Sequence, residues 1–148
     1  MTALEWSAII ITAIFGCCPL VPYNLVNLSH EGAHWFFAKV FYGIDGRIKP
    51  YWHYDREEKK WKSPRYFADE PLPVAPGAIH RIAPIIFDTL WLLIIGGVWG
   101  SVGKVGKIQL GILACGFVFD FLWFWRGYFW GTPHCDGKRW RYGVSQRE

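Results

Sequence analysis

Apolar residues fall in three blocks along the chain. Leu110 to Trp130 runs for 21 residues with only Asp120 and Arg126 charged, and Ile82 to Gly100 for 19 with only Asp88. Each approaches the ~20 residues that carry an α-helix across a bilayer core. The first block, Ala3 to Ile44, is longer and is interrupted by Pro19 and Pro22. Two readings fit it. Either one kinked span leads into the helix after the prolines, or residues 3–18 go out and residues 23–43 return as a tight hairpin. Gly16 and the two prolines suit a turn, which favours the hairpin. The expected fold class is therefore an all-α integral membrane protein with about four transmembrane helices, or three under the kinked reading.

Between the blocks lies a polar loop, residues 44–78. Within it Arg47 to Tyr54 alternates, with Ile48, Pro50, Trp52 and Tyr54 set against Arg47, Lys49, Tyr51 and His53, and a charged turn from Asp55 to Lys59 follows. This pattern predicts a small amphipathic β-hairpin near the membrane surface, with Pro50 confining its first strand to an edge. No internal repeat or low-complexity tract is present, and 148 residues suit a single polytopic membrane domain.

Composition supports lipid as the surroundings. The chain is 52% apolar and 19% aromatic, with 19% charged residues against about a quarter in soluble proteins. Ten tryptophans suit membrane interfaces better than one small soluble core. The net charge of +4 does not indicate nucleic acid: nine of the sixteen Lys and Arg lie between Lys39 and Arg81, interleaved with six acids. With either number of spans, loop 44–78 and the C-terminal tail share one side and hold most of the cations, while Lys104 and Lys107 are alone opposite. The positive-inside rule makes the loop and tail cytoplasmic. Glu5 is the only charge before His30, so the basic start of a cleaved signal peptide is missing. Cys17, Cys18, Cys115 and Cys135 form no CxxC pair and read as reduced packing residues.

The chemistry is concentrated in the first block, where His30-Glu31-Gly32-Ala33-His34 forms an HExxH motif. On a helix, residues four apart point the same way, so both imidazoles can bind one zinc. Glu31 can then reach a water on the open side of the metal and act as general base for attack on a carbonyl. With five His and six Glu in the chain, composition alone yields roughly 0.007 such motifs. Buried histidines bonded to neighbouring helices are the plain alternative, but ionisable groups inside spans are costly and usually functional. A third ligand is required. Asp88 and Asp120 within spans, and Asp136 with His134 after the last one, are all candidates by position.

HEGAH in an apolar helix, Ala83-Pro84-Ile85-Ile86-Phe87-Asp88 opening a later span, and Thr132-Pro133-His134-Cys135-Asp136-Gly137 after another together resemble the site-2 protease family of intramembrane zinc metalloproteases. That resemblance implies a three-helix core, zinc held by His30, His34 and Asp136, and hydrolysis of a transmembrane or membrane-proximal peptide. It sets Asp88 in the place of the family's Asn. Ala83 stands where the family has Gly, and no long apolar helix follows Asp136-Gly137. Residues 131–137 must then fold back toward the bilayer, with Gly137 allowing a sharp turn and Lys138, Arg139 and Arg141 anchored at the headgroups.

The other polar residues in the spans have simpler expectations. Asp120 is placed to brace a metal-bound imidazole, and Asp88 to act in the same outer layer or on substrate. Arg126 snorkels. Gly96 and Gly100 pack helices together, and His53 and His80 sit at the interface. Besides proteolysis, a zinc-binding sensor or carrier and a purely structural membrane protein are compatible with the sequence.

Overall fold

The computed structural model describes residues 1–18, 21, 24–49, 53–56, 59–62, 65–131 and 136–143. Helix α1 (Ala3–Cys17) opens with a capping box in which the Thr2 hydroxyl accepts from the Glu5 amide and the Glu5 carboxylate accepts from the Thr2 amide. Helix α2 (Leu25–Tyr42) is started by Asn24, whose side-chain oxygen accepts from the Asn27 amide. The other end of the same side chain donates to the Cys18 carbonyl at 2.9 Å. One buried asparagine thus closes α1 and opens α2. Helix α2 ends at Gly43, whose φ of 69° is the left-handed cap that glycine adopts without penalty.

Four short strands follow: β1 (Gly46–Lys49), β2 (His53–Asp55), β3 (Lys60–Lys62) and β4 (Arg65–Ala68). They form two antiparallel ladders, β2 with β3 and β1 with β4, the second in the register Gly46 to Ala68 and Lys49 to Arg65. The loop therefore holds the β-structure its alternation predicts. The strand expected over 47–54, however, is divided between two ladders. Pro50, Tyr51 and Trp52 lie outside the described residues, and with them the expectation that Pro50 confines the strand to an edge.

Helix α3 (Ile79–Val98) runs on into a 3-10 turn at Trp99–Ser101, helix α4 spans Lys104–Trp130, and a short helix α5 occupies Asp136–Tyr142. The segments Ile79–Ser101 and Lys104–Trp130 are long and apolar enough to cross a membrane, with mean hydropathies of 1.9 and 1.7. Their outward faces carry Leu93, Phe119 and Leu122, each more than half exposed. Water would be a poor solvent for so continuous an apolar surface.

The hairpin expected over residues 3–43 does not form. Gln109 near the start of α4 donates to Thr12 of α1 at 2.9 Å. Further along, a Cβ on Gly116 would lie 2.7 Å from Cys17 Sγ and 2.8 Å from Val26 Cγ2. Further still, Asp120 meets His30. Successive levels of α4 therefore meet α1, the joint and then α2, so α1 and α2 run in the same direction as one kinked traverse. A returning helix would have set His30 level with the middle of α1. The missing side chain at Gly116 receives both sides of the joint, and Asn24 sutures it, so α2 continues in the direction of α1.

Helix α3 returns antiparallel to α2. Ile95 packs with Val26 and Phe117, Trp91 stacks on Phe117 with ring centroids 5.6 Å apart, and Trp91 Nε1 donates to Ser29 Oγ at 2.9 Å. Nearer the loop, Ala33 and Ala83 are fully buried beside Phe37, and these small side chains let α2 and α3 approach closely. The glycines named for packing in the sequence do not serve that end, since a Cβ on Gly96 or Gly100 would meet nothing within 4 Å. Cys17, Cys18 and Cys115 are free thiols. Cys135 lies outside the described residues.

Candidate metal centre

His30 and His34 lie one helical turn apart on α2, with ring centroids 5.0 Å apart. Each ring has one nitrogen committed to an oxygen acceptor. His30 Nδ1 lies 2.6 Å from Asp120 Oδ2, and His34 Nδ1 lies 2.6 Å from the backbone carbonyl of His80. In the neutral imidazole those contacts put the hydrogen on Nδ1 and leave the lone pair on Nε2. Both Nε2 atoms face Asp136 Oδ2 at 3.3 Å. His30, His34 and Asp136 each offer one ligand atom, all within 4.8 Å of one another, and this group can hold a metal ion. With both imidazoles neutral, three lone pairs converge with no hydrogen between them, and a cation at their centre would offset the repulsion. Two imidazoles and a carboxylate are a donor set that suits zinc.

The carboxylate arrives from the far end of the chain. Helix α4 stops at Gly131, in the left-handed region with φ 64°, and α5 comes back alongside its last turns. Gly137 makes this possible in a way the sequence does not suggest. It lies within α5 with no positive φ, and a Cβ there would sit 1.9 Å from the Phe124 carbonyl oxygen and 2.7 Å from the Tyr128 nitrogen. Its role is close backbone approach and not a sharp turn. Arg139 Nη1 lies 3.6 Å from Asp136 Oδ1, so this guanidinium is turned toward the candidate site. Arg141 donates to the Tyr128 carbonyl at 3.0 Å. Pro133 and His134 lie outside the described residues.

Glu31 is buried, and its Oε2 accepts a hydrogen bond from the backbone amide of Tyr66 in β4. Tyr66 is itself held in place. Its ring lies so close to Gly46 that a Cβ there would meet Tyr66 Cε2 at 2.6 Å, and its hydroxyl donates to the Asp45 carbonyl at 3.0 Å. The adjoining Asp45 carboxylate binds Lys39 Nζ and accepts from Trp35 Nε1 and the Gly46 amide, which together hold its pKa down to about 2. The loop is thus fastened to α2 on the face that presents Glu31.

Asp88 is fully buried on α3, with Asp120 and His30 as its titratable neighbours. Neither of its oxygens has a hydrogen-bond partner among the described residues. His80, expected at the interface, is only 2% exposed. The structure adds three groups that the sequence did not place at the site: the His80 carbonyl behind His34, the Tyr66 amide on Glu31 and the Arg139 guanidinium near Asp136. Arg126 lies over the Trp123 ring at 5.1 Å. Comparison with protein-family models, with curated proteins and with solved structures found no match.

Proposed function

We propose that this protein is an intramembrane zinc metalloprotease that hydrolyses a peptide bond in or near a membrane-spanning substrate. The observation that carries the reading is the convergence of His30 Nε2, His34 Nε2 and Asp136 Oδ2 while both Nδ1 atoms are held from behind. Bound zinc supplies Lewis acidity and lowers the pKa of a water to about 7. Glu31 belongs to the motif but not to the ligand group, which leaves its carboxylate to accept the water's proton and later pass it to the leaving amine. The Tyr66 amide holds one carboxylate oxygen, and among the described residues no hydrogen bond holds the other, which is left for that transfer. Glu31 and His34 are each under a tenth exposed, which limits bulk water at the site, and the resemblance to site-2 proteases agrees with these roles.

The three traverses of the bundle, α1 with α2, α3 and α4, are read as spans, with the loop sheet and α5 on the cytoplasmic side where most Lys and Arg lie. The site lies near that end. The test uses purified protein in lipid vesicles with a panel of single-span peptides bearing helix-weakening residues. Cleavage by the wild type that disappears with chelation and with Glu31→Gln, while Glu31→Gln retains zinc, supports the reading. Zinc bound without turnover of any peptide would favour a sensor or carrier instead.

A further inference from the structure

The His80 carbonyl that supports His34 belongs to a helix, where a backbone carbonyl ordinarily accepts from the amide four residues on. For His80 that residue is Pro84, which has no amide hydrogen and whose ring pushes against the carbonyl of the preceding turn. His34 Nδ1 occupies the position thus released, at 2.6 Å. His80, Pro84 and Asp88 follow one another at four-residue spacing on one buried face of α3. That face runs antiparallel to His34 and His30, which are four apart on α2, so the freed acceptor falls opposite the ligand that uses it.

We infer that Pro84 is a positioning residue of the metal centre: by withholding an amide from the His80 carbonyl, it dedicates that carbonyl to His34 and so fixes which nitrogen His34 presents. A proline in the second turn of a helix is otherwise unfavourable. Its ring makes no hydrogen bond and its volume is easily matched by other apolar residues. The missing donor is the property that connects it to the site. Asp120 does for His30 with a side chain what the Pro84 device does for His34 with backbone.

This inference rests on the metal-centre reading, and its test separates the two. Zinc alone is titrated against a competing chelator in detergent-purified wild type, in Pro84→Ala, and in protein carrying the α-hydroxy analogue of alanine at position 84, which matches Ala but has an ester oxygen in place of the N–H. The returned amide in Pro84→Ala competes for the His80 carbonyl, so the zinc Kd rises about tenfold, the lower end of the range for a lost outer partner of a metal-bound imidazole. The Tm of the metal-free protein stays level or rises, because alanine suits a helix interior better than proline. The ester analogue, with no donor, keeps near wild-type affinity. Wild-type affinity in Pro84→Ala, or an equal loss in the ester analogue, would overturn this inference and leave the metal centre standing. A wild type that binds no zinc would overturn both.

Discussion

Asp120 Oδ2 lies 2.6 Å from His30 Nδ1, joining the middle of α4 to the metal motif of α2 across 90 residues of sequence. The carboxylate fixes the ring's tautomer and raises the basicity of the nitrogen opposite. Asp120→Asn keeps the shape and removes the charge, so the zinc Kd is expected to rise about tenfold, and Asp120→Ala more, within the 10- to 100-fold range of such partners. Chelator competition measures it. Equal affinity in wild type and Asp120→Ala would mean that the contact does not support the metal.

Gly137 offers a test on packing alone. A methyl group there meets the α4 backbone at 1.9 Å, so Gly137→Ala must move α5 and, with it, the Asp136 carboxylate. We expect a cost of about 1–3 kcal/mol from overpacking together with weakened zinc binding. Thermal unfolding of the metal-free protein reads the first effect and chelator titration the second. A variant as stable as wild type would show that α5 does not press on α4 as described.

Much of this arrangement is legible in the sequence because it follows from spacing. The two late apolar blocks become α3 and α4, the HExxH pair lands on one helix, and the alternating loop makes strands. The direction of α2 after the prolines is not legible, because Gly116 and Asn24 decide it through contacts between distant segments. Asp136 is suggested by resemblance, and its approach depends on a glycine whose value is the atom it lacks. The His80 carbonyl has no side-chain signature. The only trace of it in the sequence is Pro84 within an apolar block, which leaves the carbonyl four residues earlier without its usual donor. Tyr66 gives no signal because its working group is also backbone.

The clamp at the start of the loop carries a pH dependence. Asp45 has its pKa lowered from 3.8 to about 2 by Lys39, Trp35 and the Gly46 amide. A carboxyl whose folded pKa is depressed contributes stability above its unfolded value and loses it as pH falls through the folded one. The clamp is therefore fully effective above pH ~4 and is lost as pH falls through ~2. Asp45→Asn is expected to flatten this part of the stability profile, as measured by Trp fluorescence during acid titration. An unchanged profile in the variant would remove Asp45 as the source.

The kinked traverse makes a topological prediction. In a cysteine-free background, single cysteines at position 2 and at positions 103–107 should be labelled from one side of the membrane. Those at 55–62 and 140–143 should be labelled from the other, cytoplasmic side. Position 2 reacting from the same side as 55–62 would restore the four-span hairpin and contradict the run of α1 into α2 along α4.

The most direct test of the account is the metal content of detergent-purified protein, wild type beside His34→Ala and Asp136→Ala. Three ligand atoms within 4.8 Å of one another form one site, so the wild type should carry one zinc per chain and each variant should lose most of it. A wild type without zinc, or variants that retain a full equivalent, would contradict the central claim that His30, His34 and Asp136 form a zinc centre.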